Sequence, residues 1–353
     1  MTFTWPDLTS KVIACQDLTV EETAWAMNSV MSGEASPIQL AGFLTALATK
    51  GETSEEFLGL ANSMQEHART VSLTSDSLDI VGTGGDRLRT VNISTTASLV
   101  IAAAGVKVVK HGNRASSSKS GSADCLEALG VDLDLPIPAV EKIFQELGIT
   151  FLFANLFHPS MKYAARARKE LAVATAFNVL GPLTNPARPD AGAIGVSNAG
   201  QAPLVAGVLE MRNNRALVFR GENGLDELSS AVRNQVWEVR DGATQYYEFD
   251  ATELGLPQAK ISDLIGAEAA YNAKVSRTVL DGAPGPVRDS VCLNAAGAFV
   301  ADGRLPGVRP EEGTFLERMA NGLEIAYQTI DSGAASKLLE NWISLSDQLA
   351  KQD

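Results

Sequence analysis

The chain has 353 residues, of which 45% are hydrophobic, and it carries a formal net charge of −13 at pH 7. This length suits two domains, or one large α/β domain with an appendage, and the hydrophobic content is enough to bury a sizeable core. The acidic balance argues against a surface that binds nucleic acid or anionic membranes in general. We therefore expect no nucleic-acid partner, no membrane association, and a local island of positive charge wherever an anionic ligand binds.

The cysteines and the N-terminus predict a cytoplasmic location. Cys15, Cys125 and Cys292 are spaced like neither a metal motif nor a disulfide framework, which favours a reducing compartment. Residues 1–10 lack the basic and apolar regions of a signal peptide. The longest apolar run, at 98–106, is too short to span a bilayer.

Residues 1–70 are predicted to form a small all-helical domain. Thr19 and Glu22 have the spacing of a capping box at the start of one helix. Ser36 precedes a proline at the first position of the next helix, and Gly51 supplies the stop signal for that helix. Strand-like alternation of apolar and polar residues does not occur in this region.

The pattern changes after a polar linker at 69–77. Short apolar strands and helices then alternate, which is the pattern typical of a parallel sheet. Residues 236–249 predict an antiparallel hairpin that turns at Asp241–Gly242. We predict an α/β protein in which the helical domain, with a helical contribution from about 160–190, is joined to a larger α/β domain over 76–353. That domain has a mostly parallel central sheet flanked by helices.

Two loops rich in glycine and serine, at 82–95 and 110–121, follow consecutive predicted strands, and each leads into a helix. The carboxyl ends of parallel strands share one edge of the sheet, and helix N-termini favour anions. From Arg87 through Lys119 there are six Lys or Arg residues and no Asp or Glu. These features predict a phosphate-bearing ligand, with a plain solvated turn as the alternative. Neither loop matches a Walker A motif or G-x-G-x-x-G, so a dinucleotide-binding fold is not supported.

Two further groups of residues are candidates for metal binding and for acid–base catalysis. Asp226 and Glu227 are adjacent carboxylates after a predicted strand, and such a pair suits Mg²⁺, which takes oxygen ligands and bridges to phosphates. The alternative is an acidic helix N-terminus. His111 and His158 are candidates for acid–base work, although a lone histidine more often has a structural role.

In chain order, these motifs resemble those of the anthranilate phosphoribosyltransferase family, and the resemblance spans essentially the whole chain. The segments that carry it are GTGGD and NIST, KHGNRASSSKSGSAD, FHP, FNVLGPLTNPARP and GLDELS. The family transfers phosphoribose from 5-phosphoribosyl 1-pyrophosphate (PRPP) to the amine of anthranilate, in tryptophan biosynthesis. The resemblance implies this activity, a requirement for two Mg²⁺ ions, a homodimer, and substrates bound in the hinge cleft between the domains. A pyrimidine nucleoside phosphorylase, which shares the fold, and a non-catalytic relative that binds nucleic acid remain alternatives.

The resemblance also implies site residues. The PRPP site would comprise Gly82, Gly85, Asp86, Thr90, Asn92, Ser94, Thr95, Lys110, His111, Gly112, Asn113, Arg114, Ser116, Ser117, Ser118 and Ser122. Anthranilate would contact Gly82, Asn113 and Arg168, whose guanidinium suits its carboxylate. Mg²⁺ would bind Ser94, Asp226 and Glu227. No residue is assigned as a catalytic base, because positioning and electrostatics would supply the rate.

The chain departs from the family pattern at a few positions. Arg87 and Ala172 stand where the family commonly has glycine. Val91 replaces a usual phenylalanine, and Asn155 and Phe157 replace a frequent proline and tyrosine. These changes bear on loop flexibility and substrate affinity and leave the reaction class unchanged.

Overall fold

The computed structural model describes residues 3–115 and 119–351, and these residues form a seven-stranded sheet in the order β3-β2-β1-β4-β5-β6-β7. The first five strands along the chain are parallel, and β6 and β7 add an antiparallel hairpin at one edge. The strands are β1 Leu78–Gly82, β2 Val108–Gly112, β3 Ile149–Phe153, β4 Ala191–Gly195, β5 Arg215–Gly221, β6 Asn234–Arg240 and β7 Ala243–Phe249.

Helices precede the sheet, connect its strands and follow it. They are α1 Trp5–Ile13, α2 Val20–Met31, α3 Pro37–Lys50, α4 Ser54–Glu66, α5 Ile93–Ala103, α6 Ser122–Leu129, α7 Ile137–Leu147, α8 Ala154–Phe157, α9 Lys162–Leu171, α10 Phe177–Leu180, α11 Ala202–Met211, α12 Ala269–Leu280, α13 Pro286–Asp302, α14 Phe315–Asp331 and α15 Ala334–Ala350. Short 3₁₀ turns lie at Pro159–Met161, Gly181–Leu183, Ala251–Leu254 and Ile261–Leu264. Over the described ranges, no helix is both long and apolar enough to cross a bilayer.

The local signals of the sequence set the helix boundaries. Thr19 Oγ1 accepts a hydrogen bond from Glu22 N, and Glu22 Oε2 accepts one from Thr19 N at 2.9 Å, which confirms the predicted capping box. Ser36 caps α3 in the same way, and Gly51 ends it with φ of 87°. Caps of this kind stabilise a helix by about 1 kcal/mol each.

The two faces of the sheet bury separate cores, because side chains alternate along each strand. On β5, Leu217 and Phe219 join the core that includes α5 and α13, whereas Ala216 and Val218 join the core on the other face. That second core also contains α1 to α4, α9 and α11. The N-terminal helices therefore pack on one face of the sheet, with α4 against α11, and the predicted fold class is confirmed.

The predicted hairpin is also confirmed. It turns at Asp241, with φ of 53°, and Gly242, with φ of 69°. Positive φ at both central residues is the requirement of a type I′ turn, whose twist matches that of the flanking strands.

Candidate active site

A cavity of about 280 Å³ lies at the carboxyl edge of the sheet, between the loops that follow β1, β2 and β5. Among the predicted site residues, it is lined by Gly82, Gly85, Asp86, Thr90, Asn92, Ser94, Asn113, Arg114, Ser122, Asp226 and Glu227. The wall is completed by Ile80, Val81, Thr83, Gly84, Arg87, Arg89, Val91, Ala115, Ser120, Gly121, Phe219 and Asn294. Residues more than 140 positions apart in the chain thus share one small space.

Glycines at two strand ends position Asp226. The backbone N–H of Gly84 donates to Asp226 Oδ2 at 2.7 Å. A Cβ atom at Gly82 would overlap this carboxylate, and one at Gly195 would overlap the backbone carbonyl of Asp226. The requirement for Gly195 is absent from the sequence prediction, although a glycine at the end of a buried strand is the type of signal that marks a close backbone approach.

The carboxylates around Asp226 perturb one another. Burial raises the pKa of Asp226 to about 7, and the nearby Asp86 carboxylate adds to the effect. Burial and the charge of Asp226 also raise the pKa of Glu227 well above its ordinary value, although the Thr90 hydroxyl donates to Glu227 Oε2 at 2.9 Å. Burial raises the pKa of Asp86 as well. A divalent cation would therefore compete with protons for the Asp226 carboxylate.

The donor set of this cluster fits Mg²⁺, because all of its ligating atoms are oxygens. Within the described part of the chain, no group of three or more His, Cys, Asp or Glu side chains is placed to hold a metal ion by itself. Mg²⁺ usually binds one or two carboxylates and completes its octahedron with water and substrate phosphates, so an open set of this kind is the expected form of such a site.

Lys110 reaches the cavity only indirectly. Its side chain is buried beneath the first loop, where the ammonium donates to the Ile80 carbonyl and to Ser94 Oγ, the latter at 3.2 Å. Burial lowers the pKa of Lys110 to about 8. Lys110 does not line the cavity, whereas Ser94, which accepts its hydrogen bond, does.

Both candidate histidines are buried and lie outside the cavity lining. His111 Nδ1 donates to the Gly181 carbonyl at 3.2 Å, and His158 Nε2 donates to the Thr184 carbonyl at 3.0 Å. Burial lowers the pKa of His111 to about 3 and that of His158 to about 4. These contacts describe neutral structural histidines rather than groups that titrate near pH 7.

Two more predicted PRPP contacts, Thr95 and Gly112, also lie outside the lining. Thr95 is fully buried in α5, one residue beyond Ser94. Gly112 ends β2, and a Cβ atom there would come 2.9 Å from the ring of Phe151. The buried Thr95 hydroxyl has no hydrogen-bond partner among the described residues.

The second loop is tied to the first and to its own helix. Asn92 donates to the Ser120 carbonyl at 3.1 Å, which joins the two loops, and it makes no capping bond to α5. Arg114 Nη2 donates to Glu127 Oε1 at 2.6 Å, so this guanidinium is already paired. Asn113 donates to Asn155 Oδ1 at 3.3 Å. Ser116, Ser117 and Ser118 lie outside the described residues.

Arg168 lies apart from the other predicted anthranilate contacts. Gly82 and Asn113 line the cavity, whereas Arg168 does not. It extends from α9, where its guanidinium carbon sits 5.2 Å from the centroid of the Phe177 ring, and burial lowers its pKa. Because α9 packs with α3 in the second core, Arg168 belongs structurally to the helical part of the molecule.

Comparison with known proteins gives the family. Two family models match consecutive parts of the chain: "Glycosyl transferase family, helical bundle domain" over residues 6–68 and "Glycosyl transferase family, a/b domain" over residues 74–336. An anthranilate phosphoribosyltransferase of Arthrobacter sp. (strain FB24) is 56% identical over 343 residues, which is 97% of this chain and 96% of that protein. One from Streptomyces griseus is 52% identical over the same length, covering 97% of this chain and 95% of that protein.

Solved structures of proteins with the same name also match this chain over nearly its whole length. The anthranilate phosphoribosyltransferase of Thermus thermophilus superposes with a TM-score of 0.88 at 42% identity, covering 97% of this chain and 99% of that one. The Saccharomyces cerevisiae protein of the same name, in complex with PRPP and Mg, superposes with a TM-score of 0.86 at 26% identity, with 98% of each chain covered. The resemblance carried by the sequence motifs is confirmed: this chain belongs to the anthranilate phosphoribosyltransferase family.

Proposed function

We propose that this chain transfers the 5-phosphoribosyl group of PRPP to the amine of anthranilate and releases pyrophosphate, as a step of tryptophan biosynthesis. The observation that carries the proposal is the cavity itself, where a half-buried carboxylate cluster faces two glycine- and serine-rich loops. Relatives at 50% identity or more that bear the name of this activity match the chain over 97% of its length or more. The yeast relative was solved with PRPP and Mg, the ligands that such a cavity would receive.

The phosphates of PRPP would lie against the two loops. The helix α5 begins at Ile93 without a side-chain cap, and the N–H of Ile93 itself donates to the Val91 carbonyl at 2.7 Å. The positive end of the helix dipole at this point favours an anion. Gly84 and Gly85, with φ of 70° and 85°, allow the first loop to approach a ligand closely with its backbone. Ser122, at the start of α6, faces the same space from the second loop.

Asp226, Glu227 and Ser94 would hold Mg²⁺, with two ions bound when PRPP is present. The bound ions would neutralise negative charge that grows on the departing pyrophosphate. Asp226 would be oriented for this role by the N–H of Gly84, and Glu227 by the hydroxyl of Thr90. Lys110, which donates to Ser94, would fix the rotamer of that serine.

Anthranilate would bind between the cavity and the helical part, with Gly82, Asn113 and Arg168 as contacts. Its aromatic amine is neutral near pH 7 and is already a nucleophile, so no strong base is needed to prepare it. The neutral, buried state of His111 fits this mechanism. Closure of the helical part, with hinges at 69–77 and 170–186, would bring Arg168 to the carboxylate and exclude water from the reacting centre.

The homodimer would form through the helical part. An apolar groove of about 930 Å³ lies between α1, α3 and α9, and it shares no lining residue with the cavity that contains the carboxylate cluster. Ile13 and Ile38 border it with 70% and 85% of their surface exposed, which is unusual for large aliphatic side chains. A second copy of the chain would cover them.

The unpaired state of Cys15, Cys125 and Cys292 supports a cytoplasmic location.

Product analysis tests the proposed reaction. Purified protein is incubated with anthranilate, PRPP and Mg²⁺, and N-(5-phosphoribosyl)anthranilate and pyrophosphate are quantified by mass spectrometry and a coupled assay. We expect both products in equal amounts. Parallel reactions with a pyrimidine nucleoside and inorganic phosphate should give no free base; release of base without formation of phosphoribosylanthranilate would overturn the proposal in favour of a phosphorylase.

A further inference from the structure

Most of the Lys and Arg residues between 87 and 119, which give this segment its positive charge, already form contacts with other groups of the chain. Of these six residues, four have such partners: Asp76 for Lys107 at 3.7 Å, Ser94 for Lys110 at 3.2 Å, Glu127 for Arg114 at 2.6 Å and Glu268 for Lys119 at 3.5 Å. Arg87 and Arg89 differ. Across residues 3–115 and 119–351, neither guanidinium forms a hydrogen bond or an ion pair, although both line the cavity and are exposed to it.

The backbone holds these two arginines in an unfavourable conformation. Arg87 has φ of 60° and Arg89 has φ of 57°, in the left-handed region where glycine is accommodated without cost and a side chain with a Cβ atom is not. Local contacts fix the turn: Leu88 N donates to Asp86 Oδ1 at 3.1 Å, and Gly266 N donates to the Arg89 carbonyl at 2.8 Å. Strained positions of this kind are concentrated at ligand sites.

The carboxylates in the cavity wall would disfavour a bound anion unless cationic side chains also contact it. The wall includes Asp86, Asp226 and Glu227, in a chain of net charge −13, and each of these carboxylates would repel a pyrophosphate group when it is ionised and not bound to a metal ion. A guanidinium binds phosphate oxygens through two parallel N–H donors, and exposed cations also raise the rate of encounter with an anion.

We infer that Arg87 and Arg89 form a pair of cationic contacts to the pyrophosphate group of PRPP, acting in addition to Mg²⁺. The inference rests on the proposed function, because it assigns two further binding residues to the same donor. Its consequence is that this chain retains part of its affinity for the donor when the metal is scarce. The contact acts on the phosphate end of the donor and leaves the binding of anthranilate unaffected.

Calorimetric titration with inorganic pyrophosphate, in Mg²⁺ and separately in EDTA, tests the inference without relying on turnover. Arg87→Asn and Arg89→Asn are suitable variants, because asparagine is neutral and tolerates the left-handed region. We expect about tenfold weaker binding for each variant, with a larger loss in EDTA than in Mg²⁺. The KM for PRPP should rise in parallel while the KM for anthranilate stays constant. Arg87→Lys keeps the positive charge but loses the two parallel N–H donors, so its affinity should lie between those of Arg87→Asn and the wild type.

Arg188→Asn is the matched control. Arg188 is likewise an exposed arginine with positive φ, 50°, but it lines a different cavity, together with Arg212. We expect wild-type affinity for pyrophosphate in this variant. Wild-type affinity in Arg87→Asn and Arg89→Asn, or equal losses in all three variants, would overturn the inference while an active wild-type enzyme left the proposed function intact. A wild-type protein that neither binds pyrophosphate nor forms product would instead refute the proposed function.

Discussion

Replacing Gly195 with alanine should impair the proposed metal site far more than it destabilises the fold. Gly195 ends β4 beside the segment that carries Asp226 and Glu227. A Cβ atom there would overlap the Asp226 carbonyl oxygen and lie 2.6 Å from its carbonyl carbon, whereas real Cβ atoms remain at 3.0 Å or beyond. The contact is with backbone, so rotation of a side chain cannot relieve it, and the Asp226 peptide must move away from the strand.

The size of the effect follows from that displacement. We expect Gly195→Ala to lower the free energy of unfolding by about 1–3 kcal/mol, the usual cost of an added methyl group in a packed site. We expect kcat/KM to fall by about a hundredfold, because a shift approaching 1 Å in catalytic groups has an effect of that order. Affinity for Mg²⁺, measured by calorimetry in the presence of pyrophosphate, should fall as well.

Gly192→Ala provides the control on the same strand. A Cβ atom at Gly192 would meet only the side chain of Ile194, at 3.4 Å, which is an ordinary contact. This variant should keep wild-type activity and wild-type affinity for Mg²⁺. If Gly195→Ala also kept both, the close approach of Asp226 to β4 would not be what positions the carboxylates, and our account of the site would be wrong.

Four further outcomes are expected. The double variant Asp226→Asn with Glu227→Gln should lose at least about a hundredfold in kcat/KM, more than His111→Ala, when both are compared at temperatures where circular dichroism shows them folded. Burial raises the pKa of Asp226 to about 7, so the metal-free fold binds a proton that the unfolded chain has released; its melting temperature should fall as the pH rises from roughly 4 to 7, and Mg²⁺ should raise it more at the upper end. A Mg²⁺-induced shift that is independent of pH would contradict this. Ala172→Gly should raise stability by up to about 1 kcal/mol in denaturant titrations, because Ala172 ends α9 with φ of 51°. Ile38→Asp should convert the proposed homodimer to monomers in sedimentation velocity, and a variant that remained dimeric would show that the interface lies elsewhere.

Local signals predicted the elements well, because capping and turn geometry depend on neighbouring residues. Thr19 with Glu22 and the Asp241–Gly242 turn could be placed for that reason. The two loops could be assigned to one edge of the sheet because parallel connections send the carboxyl ends of strands to the same side.

The partners of the cationic side chains could not be predicted from the sequence, because they depend on contacts between distant parts of the chain. Arg114 and Lys110 are two of the six cationic residues counted between 87 and 119 in the sequence, yet one is paired with Glu127 and the other is buried against Ser94. The need for Gly195 arises only when β4 and the segment with Asp226 pack together. Arg168 is separated from the cavity because its helix belongs to the other core.

The most direct test of the central claim is the fluorescence of anthranilate over time, with purified protein, PRPP and Mg²⁺. The account predicts a decay that requires all three components, stops on addition of a chelator, and is nearly abolished in the Asp226→Asn, Glu227→Gln double variant. A constant signal from protein that circular dichroism shows to be folded, or a decay unaffected by the chelator and by the double variant, would contradict the account.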